Sequence, residues 1–236
     1  MDEERSEAGD PIYRYEPRST GWQAPDMEDS SLEAITQHIE AHVGKVDLVW
    51  HEMVSDLVHI DVHQIAPTED RPYWTLVTSG MSDLPMPTPP ERQEWAFSEL
   101  MICLPKEWKM GSDHFKDETN YWPVRWLKML ARLPHEYETW LSGYHTIPNG
   151  DPAEPFCEGV PFTCMMLAPP KTVSTEFWEL KVREDKHIHF FALIPLHEGE
   201  VNLKLAEGAQ ELDRLLDLHR VTELVDLARP DVSINR

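Results

Sequence analysis

Three segments between residues 46 and 80 constrain the fold of this 236-residue chain more than anything else in it: VDLVWHEM (46–53), LVHIDVHQIA (57–66) and YWTLVTSG (73–80). Each is rich in β-branched or aromatic residues, and only short gaps separate them. They are read as strands that neighbour one another in antiparallel fashion. FSELMICL (97–104) adds a strand beyond the proline-rich loop SDLPMPTPPE, and segments near 161–168, 177–183 and 187–196 add three more.

Helical spacing appears in three places. Leu32, Ile35, Ile39 and Val43 recur at turn intervals, with Ser30 and Glu33 as a capping box and Gly44 as the stop. In WPVRWLKMLARL (122–133), Pro123 suits a first turn, and Trp122, Trp126, Met129, Leu130 and Leu133 make one apolar stripe. Arg125, Lys128 and Arg132 share the opposite side and are read as a solvated face, with a docking strip for an acidic segment as the alternative. A last helix carries Val201, Leu205, Leu212, Leu215 and Leu216. Strands early and late with helices between and at both ends predict an α+β fold, a single compact domain with a mixed, largely antiparallel sheet and packed helices. Residues 1–28, interrupted by Pro11, Pro17 and Pro25, are read as a flexible acidic N-terminal arm, and 29–236 as the folded domain.

Charge narrows the partners. With 21 Lys and Arg against 43 Asp and Glu, the formal charge is −22 and the pI about 4.8. Such a chain repels phosphate backbones and anionic membranes and attracts basic proteins, so neither nucleic acid nor membrane is expected as a partner. No run of 18 apolar residues occurs, and MDEERSEAGD lacks the basic and apolar regions of a signal peptide. Cys103, Cys157 and Cys164 show no metal-like spacing and are read as core thiols in a reducing cytoplasm. No oligomeric state is legible.

The stretch HIDVH (59–63) poses the main chemical question. In a strand, His59, Asp61 and His63 line one face and Val58, Ile60 and Val62 the other. The second face is a core strip; the first is read as a polar, solvated or partly covered face. A metal held by His59, Asp61 and His63 is the alternative, but it needs a ligand from elsewhere, such as His187 and His189 in KHIHFF or His38 and His42 in QHIEAH. A third reading has Asp61 orient a neighbouring histidine. There is no HExxH, CxxC pair, GxSxG, GxGxxG or GxxxxGKS, and no cofactor is expected.

In GYHTIPNGDP, His145 lies near Asp151 and could act as a general base with an orienting carboxylate. The favoured reading is a structural turn around Asn149 and Gly150. Gly80 and Gly150 are expected at positive φ, with Asp83 and Asp151 bracing their turns.

The blocks YWTLVTSGMSDLPMP, ELMICLP, WPVRWLKMLARLPHEYETWLSGYHTIPNGDP and HFFALIPLHEGEVNLKLAEGAQELDRLL, in this order, closely resemble bacterial members of the suppressor of fused domain family, from about residue 46 to 230. The resemblance implies a compact domain without known enzymatic chemistry. In animals the family protein has two lobes that clamp a segment of a zinc-finger transcription factor as an added strand. This chain resembles a single lobe, so the clamp is not carried over. Bacterial relatives are often assigned as immunity proteins that neutralise polymorphic toxins. The expectation is therefore a non-catalytic immunity protein for a basic toxin domain, with Ser82, Asp83, His145, Asn149 and Asp151 as partner-contact residues. The alternatives are a hydrolase using His59, Asp61, His63 and His145, and a scaffold that binds an endogenous peptide by strand addition.

Overall fold

The computed structural model describes residues 4–25 and 30–234. Strands β1 (Leu48–Trp50), β2 (Asp61–Ile65), β3 (Tyr73–Ser79), β4 (Phe97–Pro105), β5 (Thr146–Pro148), β6 (Cys164–Ala168), β7 (Glu179–Arg183) and β8 (Lys186–Leu196) form one sheet. Its order is β1-β2-β3-β4-β8-β6-β5, with β7 also paired to β8. Every pairing is antiparallel except β4 with β8, so the sheet is mixed and largely antiparallel, as expected. The parallel pair is possible because the chain between β4 and β8 is long enough to return to the same end of the sheet.

Helices cover both faces. On one, Val62, Leu76, Leu100, Ile102 and Leu104 pack with Trp122, Trp126, Leu127 and Leu130 of α2 (Glu118–Glu136). On the other, Ile65, Val77, Met101, Cys103 and Phe190 pack with Ile35 and Ile39 of α1 (Leu32–His42). The apolar run 100–104 within β4 follows from this, because a central strand covered on both faces has no wet side to alternate toward. Leu203 of α3 (Glu198–Glu207) and Leu212, Leu215 and Leu216 of α4 (Ala209–Leu218) close a third cluster over Cys164, Met166, Ile194 and Leu196. Among the described residues no helix is long and apolar enough to cross a membrane.

Several local expectations are corrected. The single C-terminal helix is two, broken at Gly208, whose φ of +93° ends α3 while its N–H donates to Lys204 O. Helix α2 starts before Pro123: the Asp117 carboxylate caps it by accepting the Thr119 N–H at 3.0 Å, so the proline lies inside the helix. The Ser30–Glu33 box does not form. Ser31 is the N-cap residue of α1, and its N–H donates to Asp83 Oδ1 at 3.1 Å, a partner 52 residues away. Strand β5 falls in a stretch read as loop.

The N-terminal residues 4–25 lie along the body. Ala8 N–H donates to Leu205 O, Arg18 N–H to Glu136 O, and Leu57 N–H to Gln23 O. Apart from the isolated bridge of Arg5 with Pro11, residues 4–25 contain no helix or strand. Residues 1–3 and 26–29 of the predicted arm lie outside the described residues.

Candidate functional site

The entry to β2 concentrates polar side chains. Strand β2 begins at Asp61, so His59 belongs to the preceding irregular segment and the alternation of HIDVH does not apply to it. The expected wet face is also corrected. Asp61 is 3% exposed and His63 fully buried, because β2 is an interior strand flanked by β1 and β3 and covered on both faces. Burial holds the His63 imidazole down to about 4, hence neutral near pH 7, with Nε2 at 3.0 Å from Ser79 Oγ.

The Asp61 carboxylate instead gathers two other imidazoles. His51 Nδ1 lies 2.8 Å from Oδ2 and His59 Nε2 3.1 Å from Oδ1. His59 Nδ1 meets Ser55 Oγ at 2.8 Å, and Ser55 Oγ donates to Glu52 Oε2 at 3.0 Å. Glu52 in turn forms an ion pair with Arg132 of α2. The reading in which Asp61 orients a neighbouring histidine describes this arrangement. His51 and Glu52 fall in a stretch expected to be strand, but β1 ends at Trp50 and they lie with Ser55 in the loop beyond it, so none of the three carries a sequence signal for this cluster.

The basic side of α2 is not the solvated face expected. Arg125 binds Glu118 at 2.6 Å and donates to Phe156 O at 2.9 Å, Arg132 meets Glu52, and burial lowers the Lys128 ammonium below its usual range while Asp61 opposes that shift. Arg125 and Arg132 are thus answered by two carboxylates of the chain itself, Glu118 and Glu52.

The SGMSD turn is a structural junction. Gly80 has φ +102° and Asp83 caps α1. Ser82 has no exposed surface, and its N–H and Oγ donate to Glu99 Oε1 at 3.0 and 2.6 Å. Glu99 is fully buried in β4 and also accepts from Thr78 Oγ1 at 2.6 Å; burial raises its carboxyl to about 7 despite these bonds. One carboxylate inside the apolar run of FSELMICL was the available signal for it.

The second predicted loop lies elsewhere, at the β5 edge, beside a cavity of about 740 Å³ roofed by arm residues such as Tyr13 and Arg14. Asp151 is engaged by Arg14 at 2.9 Å, not by His145. His145 sits against Trp140 and Tyr13 and is pushed down to about 4, by burial first and then by the nearby Lys204 ammonium. The postulated base with its orienting carboxylate is therefore not assembled. Asn149 braces the turn by donating to Glu154 O and Pro155 O, and Gly150 has φ +96° as expected. All three cysteines are free; burial raises the Cys103 and Cys164 thiols to about 12, which keeps them unreactive.

Comparison with known proteins agrees with this architecture. The family model of the suppressor of fused protein (SUFU) matches residues 56–230. The chain belongs to the suppressor of fused family, a family of protein-interaction domains. Its fold is similar to that of a SUFU homolog from Neisseria gonorrhoeae FA 1090, with a TM-score of 0.60 and 17% identity over 85% of this chain and 95% of that one. The Sufu–Fu complex gives 0.59 and 13% over 86% and 93%, and Drosophila Suppressor of Fused 0.56 and 12% over 90% of this chain and 52% of the fly protein. No curated protein matches the sequence.

Proposed function

We propose that this chain is a non-catalytic, cytoplasmic binding protein that occludes a basic partner, and that the partner is a toxin domain for which it serves as the immunity protein. The observation that carries the reading is the charge of −22 on a folded interaction domain. Many cations are consumed within the chain, including Arg14, Arg18, Arg132, Arg214 and Arg229, each ion-paired to its own carboxylate. The excess acid is left to act at long range, where it raises the encounter rate with a basic surface and disfavours acidic competitors. The relative described as the Sufu–Fu complex supports binding to protein as the mode of action.

Of the five partner-contact residues, Asp83, Asn149 and Asp151 offer surface for such a contact, Ser82 does not, and His145 lies under the arm. The test is neutralisation. A partner is recovered from the native host by crosslinking to this chain, then expressed alone and together with it. Growth arrest by the partner alone, relieved by co-expression, supports the reading. A captured partner that is acidic or harmless overturns it.

A further inference from the structure

We propose that His51, His59 and Asp61 form a surface site for one divalent cation of the zinc class. Three contacts run in line at the entry to β2: Glu52 Oε2 with Ser55 Oγ at 3.0 Å, Ser55 Oγ with His59 Nδ1 at 2.8 Å, and His59 Nε2 with Asp61 Oδ1 at 3.1 Å. The first two are hydrogen bonds and need one hydrogen each; the third is a charge contact that needs a positive centre. The serine hydroxyl supplies one, an uncharged imidazole supplies one, and two carboxylates supply none. With the hydroxyl hydrogen on Glu52, the ring donates from Nδ1, and its Nε2 lone pair then faces the Asp61 oxygen. For an uncharged ring the line lacks one positive centre between Nε2 and Oδ1, which a second ring proton or a bound cation would supply.

A metal ion fills that gap where a proton would otherwise have to. The other Asp61 oxygen already holds His51 Nδ1 at 2.8 Å, and ligand atoms of His51, His59 and Asp61 all lie within 4.8 Å of one another. Ligands bound at about 2.0–2.2 Å around one tetrahedral ion lie roughly 3.3–3.6 Å apart, inside the span of these three ligand atoms. Among the described residues, the cationic groups within 4 Å of the Asp61 carboxylate are these two imidazoles, with Lys128 acting from farther away.

The surroundings orient the ligands. Ser55 fixes His59 with Nε2 toward the site, and the Glu52 N–H donates to Asp61 Oδ1 at 3.3 Å. Glu52 itself is engaged by Arg132. Two imidazole nitrogens with one carboxylate favour zinc and its neighbours over magnesium or calcium. The His51 side chain is 62% exposed, so the remaining coordination positions open to solvent and the ion exchanges with chelators. His63, one step along the same strand face, is turned to Ser79 and takes no part.

The test uses the full chain without an affinity tag, stripped with EDTA and titrated with zinc by calorimetry, with magnesium as a control. The expected result is one zinc per chain and no magnesium uptake. His51→Ala, an exposed position whose loss leaves the core intact, and Asp61→Asn should each weaken zinc binding by at least about tenfold, and Ser55→Ala by about tenfold through lost orientation. His187→Ala, on β8, should change nothing. Cobalt substituted for zinc should give a visible spectrum that His51→Ala abolishes. A wild-type chain that takes up no zinc, or binding weakened less than tenfold in both His51→Ala and Asp61→Asn, overturns the assignment.

Discussion

Gly80 passes so close to His59 that a Cβ built on it would lie 2.0 Å from the His59 carbonyl oxygen. The end of β3 and the irregular segment before β2 are thus in backbone contact, and Gly80 needs both a positive φ and an absent side chain. Gly80→Ala should destabilise the domain by more than about 2 kcal/mol, read as a shift in the urea midpoint. Gly159→Ala, also at positive φ but with open space around it, isolates the conformational part and should cost about 1 kcal/mol. Equal losses at the two positions would refute the steric account.

Glu99 makes stability depend on pH. Its folded carboxyl titrates near 7, above its ordinary value of 4.5, so the unfolded chain loses this proton first as pH rises. The contribution is fully present below about 4.5 and is lost as pH rises through about 7, on the order of 3 kcal/mol in all. Glu99→Gln should flatten this slope, since an amide can accept from Ser82 and donate to Thr78. Parallel stability–pH curves for the two proteins between pH 4.5 and 8 would show that another group is responsible.

Arg229 and Glu200 form a buried ion pair at 2.5 Å, with the Glu200 side chain fully covered. The Glu200 carboxylate also accepts from the His197 and Val232 N–H groups, which ties α3 to the C-terminal segment. Arg229→Met leaves that carboxylate uncompensated and should destabilise by about 3–5 kcal/mol, most of it recovered in Arg229→Met with Glu200→Gln. Guanidinium denaturation of the single and double variants measures the difference, and additive losses would contradict the coupling.

Trp126 is fully buried between α2 and the sheet, against Phe156. Trp126→Asp removes the ring and buries a charge without a partner, so a loss of about 4 kcal/mol or more, or failure to fold, is expected. A melting temperature within about 2 °C of wild type would show that the α2 contact does not carry the core.

Association with the basic partner should be fast and sensitive to salt. Raising salt from about 0.05 to 0.5 M shortens the screening length severalfold and should lower the stopped-flow on-rate by about tenfold or more. An on-rate indifferent to salt would remove the electrostatic basis of the proposed function.

Much of the fold was legible in local pattern. Apolar residues at period two marked the strands, and those at 3.6 marked α1 and α2. Gly80 and Gly150 announced positive φ through the turn residues around them. The short β5 was not legible, because three residues ending in proline carry too little periodicity to register. The break at Gly208 was missed because the leucines on either side keep helical spacing across it.

The candidate site was legible only in part. That Asp61 would orient a histidine could be read from HIDVH; which histidines could not. Sequence by itself determined which residues are apolar and at what period, and so the strands, the helices and the faces they bury, because side-chain direction along a regular backbone depends on local spacing alone. Only the tertiary structure decided that His63 is dry while His51 joins Asp61, that Arg132 of α2 answers Glu52, and that Arg14 takes Asp151 away from His145. Those pairings join loops and elements that have no common period, and their geometry exists only once the sheet order has brought distant segments within hydrogen-bond reach.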